Sequence, residues 1–159
     1  MKRIVLLMTV ATFSTLTFNA CSKSDGPDSG NNKNVKFTIT VEGAVESNDL
    51  VSFDFSGGTL NSSENTIWKV NGATRNNETD ISLGENEFSG STKTYIVESI
   101  MPLEAAGFVV HVVNFDAPLK VTYKAEVNGK VVNNDAPTIT GDGTAYAKQF
   151  TYKRTVISF

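Results

Sequence analysis

The chain has 159 residues and a formal net charge of −3, with 14 Lys and Arg against 17 Asp and Glu. A mildly acidic chain of this kind lacks the basic stripe that binding to nucleic acid requires, which excludes nucleic acid as a partner. It contains a single cysteine, so no intrachain disulfide can form and the fold must be held together by core packing.

The first segment has the composition of an export signal. Lys2 and Arg3 give it a positive start, and an apolar stretch diluted only by Ser and Thr follows from Ile4 to Phe18. This stretch is shorter than the roughly 20 apolar residues that a membrane-spanning helix needs. The small residue Ala20 then precedes Cys21, as expected at the cleavage site of a secretory signal peptide.

Residues Phe18-Asn19-Ala20-Cys21 resemble the lipobox of bacterial lipoproteins. Ala20 and Cys21 match that motif, whereas Phe18 and Asn19 stand where the family usually has Leu and a small residue. The resemblance implies that residues 1–20 are a lipoprotein signal peptide and that Cys21 becomes the lipid-bearing first residue. The alternative is an ordinary secreted protein whose cysteine happens to lie near the cleavage site.

Lipidation of Cys21 would anchor the mature chain to a membrane and leave no thiol for catalysis or metal binding. Two or more acyl chains hold a protein on a bilayer stably, because each buried methylene contributes about 0.8 kcal/mol. In the lipoprotein family an Asp after the cysteine favours retention in the inner membrane. Ser22 stands there, which implies the outer membrane and leaves open whether the domain faces the periplasm or the cell surface.

The mature chain divides into a tether and one domain. Removing residues 1–20 leaves 12 basic and 17 acidic residues, a net charge of −5. Residues 21–34 contain no large apolar side chain after the cysteine, so they are predicted to form a lipidated flexible tether. Residues 35–159 are long enough for a single domain with a core of its own.

From position 35 onward, apolar and polar residues alternate with the period of two that is typical of half-buried strands. The alternation starts at 35–41, and further strands are predicted at 51–55, 67–70, 81–83, 92–99, 119–127 and 130–133. The dipeptides Asn71-Gly72 and Asn128-Gly129 predict tight hairpins, because both turn positions require positive φ.

Two segments are predicted from other features. Residues 108–115 (FVVHVVNF) are apolar on both faces, which favours a central strand covered on each side. Residues 145–159 predict one or two final strands, with a bulge where the apolar positions change face between Phe150 and Ile157. About eight strands without a long helix predict an all-β antiparallel sandwich of immunoglobulin-like type, with a small β-barrel as the alternative.

Aromatic residues are the candidate binding residues. Trp68 either packs between the sheets or offers a flat exposed ring to a sugar or a partner side chain. Tyr95 and Tyr152 extend the second interpretation, since Tyr152 shares its face with Phe150 on a segment that carries Lys148. Tyr123 lies on the apolar face of its strand, which favours the core.

No catalytic residue, metal site or cofactor is predicted. His111 is the only histidine, and nothing in the spacing brings a serine and a carboxylate to it, so a structural or edge-facing role is expected. Acidic and amide residues cluster at 85–87, 133–135 and 142. Turn chemistry accounts for them, and no stretch has the spacing of a calcium loop, although calcium binding by these loops is left open.

These observations predict a lipid-anchored envelope protein with a non-catalytic binding or interaction domain, whose partner is a glycan or a protein. The alternative is a structural or assembly subunit, such as a fimbria- or adhesin-like component, with Thr151–Phe159 as a strand exchanged between chains. A small hydrolase is disfavoured because no set of nucleophile, base and orienting group is visible.

Overall fold

The computed structural model describes residues 34–153. The predictions for the signal peptide, for Cys21 and the tether up to residue 33, and for residues 154–159 lie outside this range. The described chain forms eleven strands and one short helix, which runs Glu85–Phe88 (α1). The strands are β1 Val35–Glu42, β2 Leu50–Gly58, β3 Trp68–Val70, β4 Ala73–Arg75, β5 Asp80–Leu83, β6 Lys93–Ser99, β7 Ala105–Asn114, β8 Leu119–Val127, β9 Lys130–Asp135, β10 Thr138–Ile139 and β11 Thr144–Lys153.

The strands form two antiparallel sheets that pack face to face. The larger sheet has seven strands in the order β10-β8-β1-β6-β3-β4, with β9 also paired to β8. The smaller sheet has four strands in the order β11-β7-β2-β5. The sheets do not close into a barrel, so the predicted immunoglobulin-like antiparallel sandwich is confirmed at the level of architecture and the barrel alternative is excluded.

Alternation in the sequence becomes alternation in burial. In β1 every second residue is buried, beginning at Val35, and β8 shows the same pattern from Leu119 to Val127. Both Asn-Gly hairpins form as predicted, with φ of 48° and 82° at Asn71 and Gly72 and of 51° and 76° at Asn128 and Gly129. These turns fix the register of the strands that they join.

The core between the sheets contains a cluster of aromatic rings around Phe37. The Phe37 ring centroid lies 5.3 Å from that of Phe55, 5.5 Å from Phe108 and 6.4 Å from Phe150, all three on the smaller sheet. It also lies 6.1 Å from the indole of Trp68 on its own sheet. A single side chain of β1 therefore contacts three of the four strands that face it.

The structure corrects one sequence-based prediction about strands. Strand β7 is central, but it is not covered on both faces, because His111 on its outer face is exposed and Val109 and Val113 are only half buried. The bulge predicted between Phe150 and Ile157 lies mostly outside the described residues, and β11 pairs with β7 in unbroken register from Thr144 to Lys153. A bulge is found in the β8–β9 pair, between Ala125 and Glu126.

The two ends of the sandwich differ in what they carry. At the N-terminal end β1 begins and β11 ends, and Asn34 is fastened to the β8–β9 turn by a 2.9 Å bond from its backbone nitrogen to Asn128 Oδ1. The opposite end, here called the loop end, carries the connections at 43–49, 84–92, 115–118 and 140–143. None of the helices among residues 34–153 is long and apolar enough to cross a membrane.

We predict that Phe37→Ala lowers the free energy of unfolding by about 3–5 kcal/mol, because it removes the ring that joins the two sheets and leaves a cavity. Chemical denaturation measures the change. Phe115→Ala is the control, since its ring is 49% exposed at the loop end and its removal should cost less than about 1 kcal/mol. Equal losses in the two variants would contradict the central place of Phe37.

Candidate functional site

The open side of the sandwich is the gap between the edge strands β9 and β11, one from each sheet. Within the described residues β11 pairs with β7 alone, so the backbone groups on its other edge have no strand partner there. Such an edge is a ready template for a further strand. At ten residues, β11 is as long as any strand in the described chain.

Alternate side chains of β11 point into the gap between the sheets. Tyr146, Lys148, Phe150 and Tyr152 are paired with Val112, Val110, Phe108 and Ala106, all buried on the inner face of β7. Residues directly opposite each other in a sheet project to the same face, so these four side chains project inward. Because β11 is the last strand, the three aromatic side chains are only half buried and Lys148 is exposed.

Strands β8 and β9 supply the facing wall. The Tyr146 hydroxyl donates to Asp135 Oδ2 at 3.1 Å and lies 3.2 Å from the hydroxyl of Tyr123. Tyr123 is 4% exposed, which confirms its predicted place in the core, and its ring lies edge-on to Phe108 at 5.0 Å. The Tyr123–Tyr146–Asp135 cluster thus links the two sheets where both would otherwise end at solvent.

The cluster shifts the pKa values of its members. The pKa of Asp135 is lowered, first by the hydrogen bond from the backbone nitrogen of Ala136, then by the Tyr146 hydroxyl, with a smaller contribution from the positive charge of Lys148. Burial raises the pKa of Tyr146, and the neighbouring Tyr123 raises it further. Burial also raises the pKa of Tyr123. At neutral pH the cluster therefore holds one carboxylate and two protonated hydroxyls.

The structure does not bring the predicted binding residues together. Trp68 is 0% exposed and its indole nitrogen donates to the Thr79 carbonyl at 2.8 Å, which confirms the interpretation as a core residue and excludes a surface platform. Tyr95 is half buried near the loop end, where its hydroxyl donates to the Glu87 carbonyl at 3.2 Å. Tyr152 lies on the open side with Phe150, on the smaller sheet, whereas Trp68 and Tyr95 belong to the larger sheet. Of the three predicted binding residues, only Tyr152 therefore lies at the candidate site.

His111 lies exposed on the outer face of the smaller sheet, between Ser52 and Ala147 of the adjacent strands. The nearby carboxylate of Asp54 already accepts hydrogen bonds from Ser52 at 2.7 Å and from Ser82 at 2.6 Å. The histidine is therefore exposed on the outer face of a central strand, and the expected edge-facing position is wrong.

The acidic loop residues are spread over the molecule. Glu87 closes the start of α1 by accepting a bond from the Gly84 backbone at 2.8 Å, Asp135 belongs to the open side, and Asp142 occupies a turn with φ of 64°. In the part of the chain that the structure describes, no three His, Cys, Asp or Glu side chains lie close enough together to hold a metal ion.

Shallow hollows lie on the outer faces of both sheets. One of about 190 Å³ surrounds Gly107 on the smaller sheet, with Ser56, Gln149 and Thr151 at its rim. Another, of about 490 Å³, lies on the larger sheet near the N-terminal end. Its lining includes the ion pair between Lys69 and Glu98, which is 3.1 Å long.

Comparison with known proteins supports the fold and goes no further. No family model and no curated protein matches the chain. Among solved structures, it is similar to a DUF4425 family protein from Bacteroides ovatus ATCC 8483, with 12% identity, a TM-score of 0.55 and coverage of 80% of this chain and 99% of that one. A domain of unknown function, DUF4425, from Bacteroides vulgatus ATCC 8482 gives 14% identity, a TM-score of 0.58 and coverage of 79% and 99%.

A third similar structure is the calcium-bound form of a protein from Parabacteroides distasonis, solved by NMR. It shares 15% identity with this chain at a TM-score of 0.60, and the match covers 82% of this chain and 99% of that one. At identities this low the likeness shows a shared fold.

The sequence did not predict that Tyr123, Tyr146 and Asp135 lie in contact. Tyr146 lies 23 positions after Tyr123, and the pairing that brings them together is between sheets, which alternation within a strand does not predict. A usable signal was present in the last strand, where Tyr146, Lys148, Phe150 and Tyr152 all share one parity. A lysine in an otherwise aromatic inner row indicates a strand at the edge.

We predict that the stabilising contribution of Asp135 depends on pH. Its folded pKa lies below the unfolded value of about 3.9, so this contribution is complete above pH 4 and is lost as the pH falls through the folded pKa. Asp135→Asn should therefore be less stable than the native chain at pH 7, and this difference should shrink below pH 4. Urea denaturation of both chains over this pH range measures it.

A companion variant, Tyr146→Phe, removes one donor to the same carboxylate. It should reduce the pH dependence without abolishing it, because the bond from the Ala136 backbone remains. A stability difference between the native chain and Asp135→Asn that stays constant from pH 7 to pH 2 would contradict the assignment.

Proposed function

We propose that the chain is a lipid-anchored protein of the outer membrane whose sandwich is a non-catalytic module that binds a protein partner along its open side. The observation that carries this proposal is the exposed edge of β11, ten residues long, with three half-buried aromatic side chains behind it. Edge strands of this kind bind extended segments, since backbone hydrogen bonds supply affinity and the alternate side chains supply specificity.

Lipid anchoring is supported by the order of features in the first 34 residues. A positive start, an apolar stretch, a cysteine and a polar segment follow one another as in bacterial lipoproteins. Asn34 and the end of β11 lie at the same end of the sandwich. A tether that joins there would hold the domain by its N-terminal end and leave the loop end and the open side accessible.

A protein partner is favoured over a glycan by the position of the aromatic residues. Stacking on a sugar needs an exposed ring face, and the only tryptophan of the chain is fully buried. The aromatic side chains of the open side lie behind the edge of β11, where an added strand would cover them. A glycan partner remains the second outcome that a binding screen would detect.

The assembly-subunit alternative uses the same edge but differs in what occupies it. Strand exchange between copies would require a second β11, or the segment after it, to pair beside Lys148. The charge of Lys148 opposes this arrangement, because a lysine that points inward from an edge strand disfavours pairing with another apolar strand. Binding to a different protein is therefore the better-supported function.

We propose no catalytic role and no metal. His111 and the carboxylate of Asp54 lie on one face, but the carboxylate is engaged by two serine hydroxyls. Calcium is bound by the similar protein from Parabacteroides distasonis. The described residues of this chain contain no group of three acidic or histidine side chains that could hold a metal ion, so we do not propose calcium binding for it.

We predict that mass spectrometry of the mature protein finds residues 1–20 removed and Cys21 carrying acyl chains. Cys21→Ser should abolish both changes, because the thiol is the site of attachment, and should move the protein out of the washed membrane fraction. Retention of Cys21→Ser on the membrane at the native level, or an unmodified Cys21 in the native protein, would refute lipid anchoring.

We predict that a photo-crosslinking residue at Gln149, exposed on β11, captures one defined envelope protein in intact cells. The same residue at Thr94, exposed on the outer face of the larger sheet, is the matched control and should not capture it. Tyr152→Ala should weaken capture at Gln149, because it removes part of the surface behind the edge. Equal capture at both positions would contradict binding along the open side.

A further inference from the structure

We propose that the segment bound on the open side is acidic, and that it adds to β11 as a strand with a carboxylate placed against Lys148. This inference rests on the proposed function and specifies the chemistry of its partner. It follows from the position of one charged side chain within an aromatic row.

Lys148 lies in the middle of β11 and projects between the sheets beside Val110, which is fully buried. Its neighbours on the same face are Tyr146 and Phe150, both half buried. Adjacent strands in a sheet lie about 4.8 Å apart, so the side chains of a strand added to β11 would cover this row. The ammonium group would then pass from water to the rim of an aromatic core.

An ammonium group in that position needs an anion, because burying an unpaired charge is strongly unfavourable. The three ion pairs found among residues 34–153 all lie on the outer face of the larger sheet: Lys69–Glu98, Lys120–Glu42 and Lys124–Glu126. Lys148 takes part in none of them. The carboxylate of Asp135 attracts Lys148 but already accepts bonds from Ala136 and Tyr146. Asp135 thus acts on Lys148 only from beyond ion-pair distance, and a carboxylate on the incoming strand would give the ammonium group a direct partner.

The charge of β11 itself favours an acidic segment. The strand carries Lys148 and Lys153 and no Asp or Glu, although the chain as a whole has a net charge of −3. The strand β11 thus carries a net positive charge on a negative protein. Complementary charge of this kind increases association rates and discriminates between partners.

Pairing between the β11 strands of two copies fails this requirement in every register. Residues 144–159 contain no Asp or Glu, so a β11 strand or the segment after it offers no carboxylate to Lys148. Lys148 therefore has two effects on the same edge: it selects an acidic strand and prevents pairing between copies. Both effects can be measured separately.

The first experiment compares two synthetic peptides on the full mature protein in detergent. One is Thr-Val-Thr-Glu-Thr-Val-Thr, and the other has Lys in place of Glu. We expect the acidic peptide to bind about tenfold more tightly by calorimetry and to protect the backbone amides of β11 from hydrogen exchange. Lys148→Glu should reverse the preference, whereas Lys153→Glu, on the outer face of the same strand, should leave the acidic peptide preferred.

The outcomes separate this inference from the proposed function. Equal binding of both peptides, with β11 protected, would overturn the selection of an acidic strand and leave the edge as the docking site. If neither peptide protects the β11 amides, β11 is not the docking edge, and the proposed function is overturned as well.

The second experiment measures self-association by sedimentation. Lys148→Val should form dimers that the native protein does not form, because it removes the charge from the inner row of the edge strand. Lys153→Val is the control and should remain a monomer. A Lys148→Val variant that stays monomeric over the full concentration range would contradict the role of Lys148 in preventing pairing between copies.

Discussion

The contact between Phe37 and the rings of Phe55, Phe108 and Phe150 holds the two sheets of this protein together. The contact is apolar and aromatic, and the chain has a single cysteine, so packing replaces the disulfide found between the sheets of many exported sandwiches. Because β1 is central in the larger sheet and Phe37 lies near its start, the packing extends across the smaller sheet from β2 to β11.

The same arrangement creates the open side. The smaller sheet ends at β11, and no described strand continues beyond it, so inner side chains that would be buried in a wider sheet remain at the rim. At this rim the Tyr146 hydroxyl is hydrogen-bonded to Asp135 and Tyr123. Phe150 and Tyr152 keep part of their surface accessible, and Lys148 keeps its charge in water. The open side therefore follows from where the smaller sheet ends, and it is the surface on which the proposed binding rests.

The two outer faces of the sandwich support this distinction. The larger sheet presents Lys and Glu side chains that pair across neighbouring strands, as in Lys120 with Glu42 at 2.9 Å, which is typical of a solvated surface. The smaller sheet presents mostly serine, alanine, valine and threonine, with His111 among them. Among the described residues, neither outer face brings aromatic side chains and a lysine together beside a strand edge as β11 does.

The sequence by itself determined the strands, because burial of one face of a strand requires a period of two, and this pattern in 35–41 and 119–127 needs no tertiary information. It also determined both Asn-Gly turns, since positive φ at two successive positions restricts the residues that fit there. Only the tertiary structure decided which strands lie at the edge of a sheet. Trp68 and Tyr152 are similar as sequence signals, yet one is enclosed by β2 and the loops beside it while the other ends at the edge of its sheet. Strand order between distant segments makes that difference, and it depends on how the two sheets pack, which alternation along a single strand does not encode.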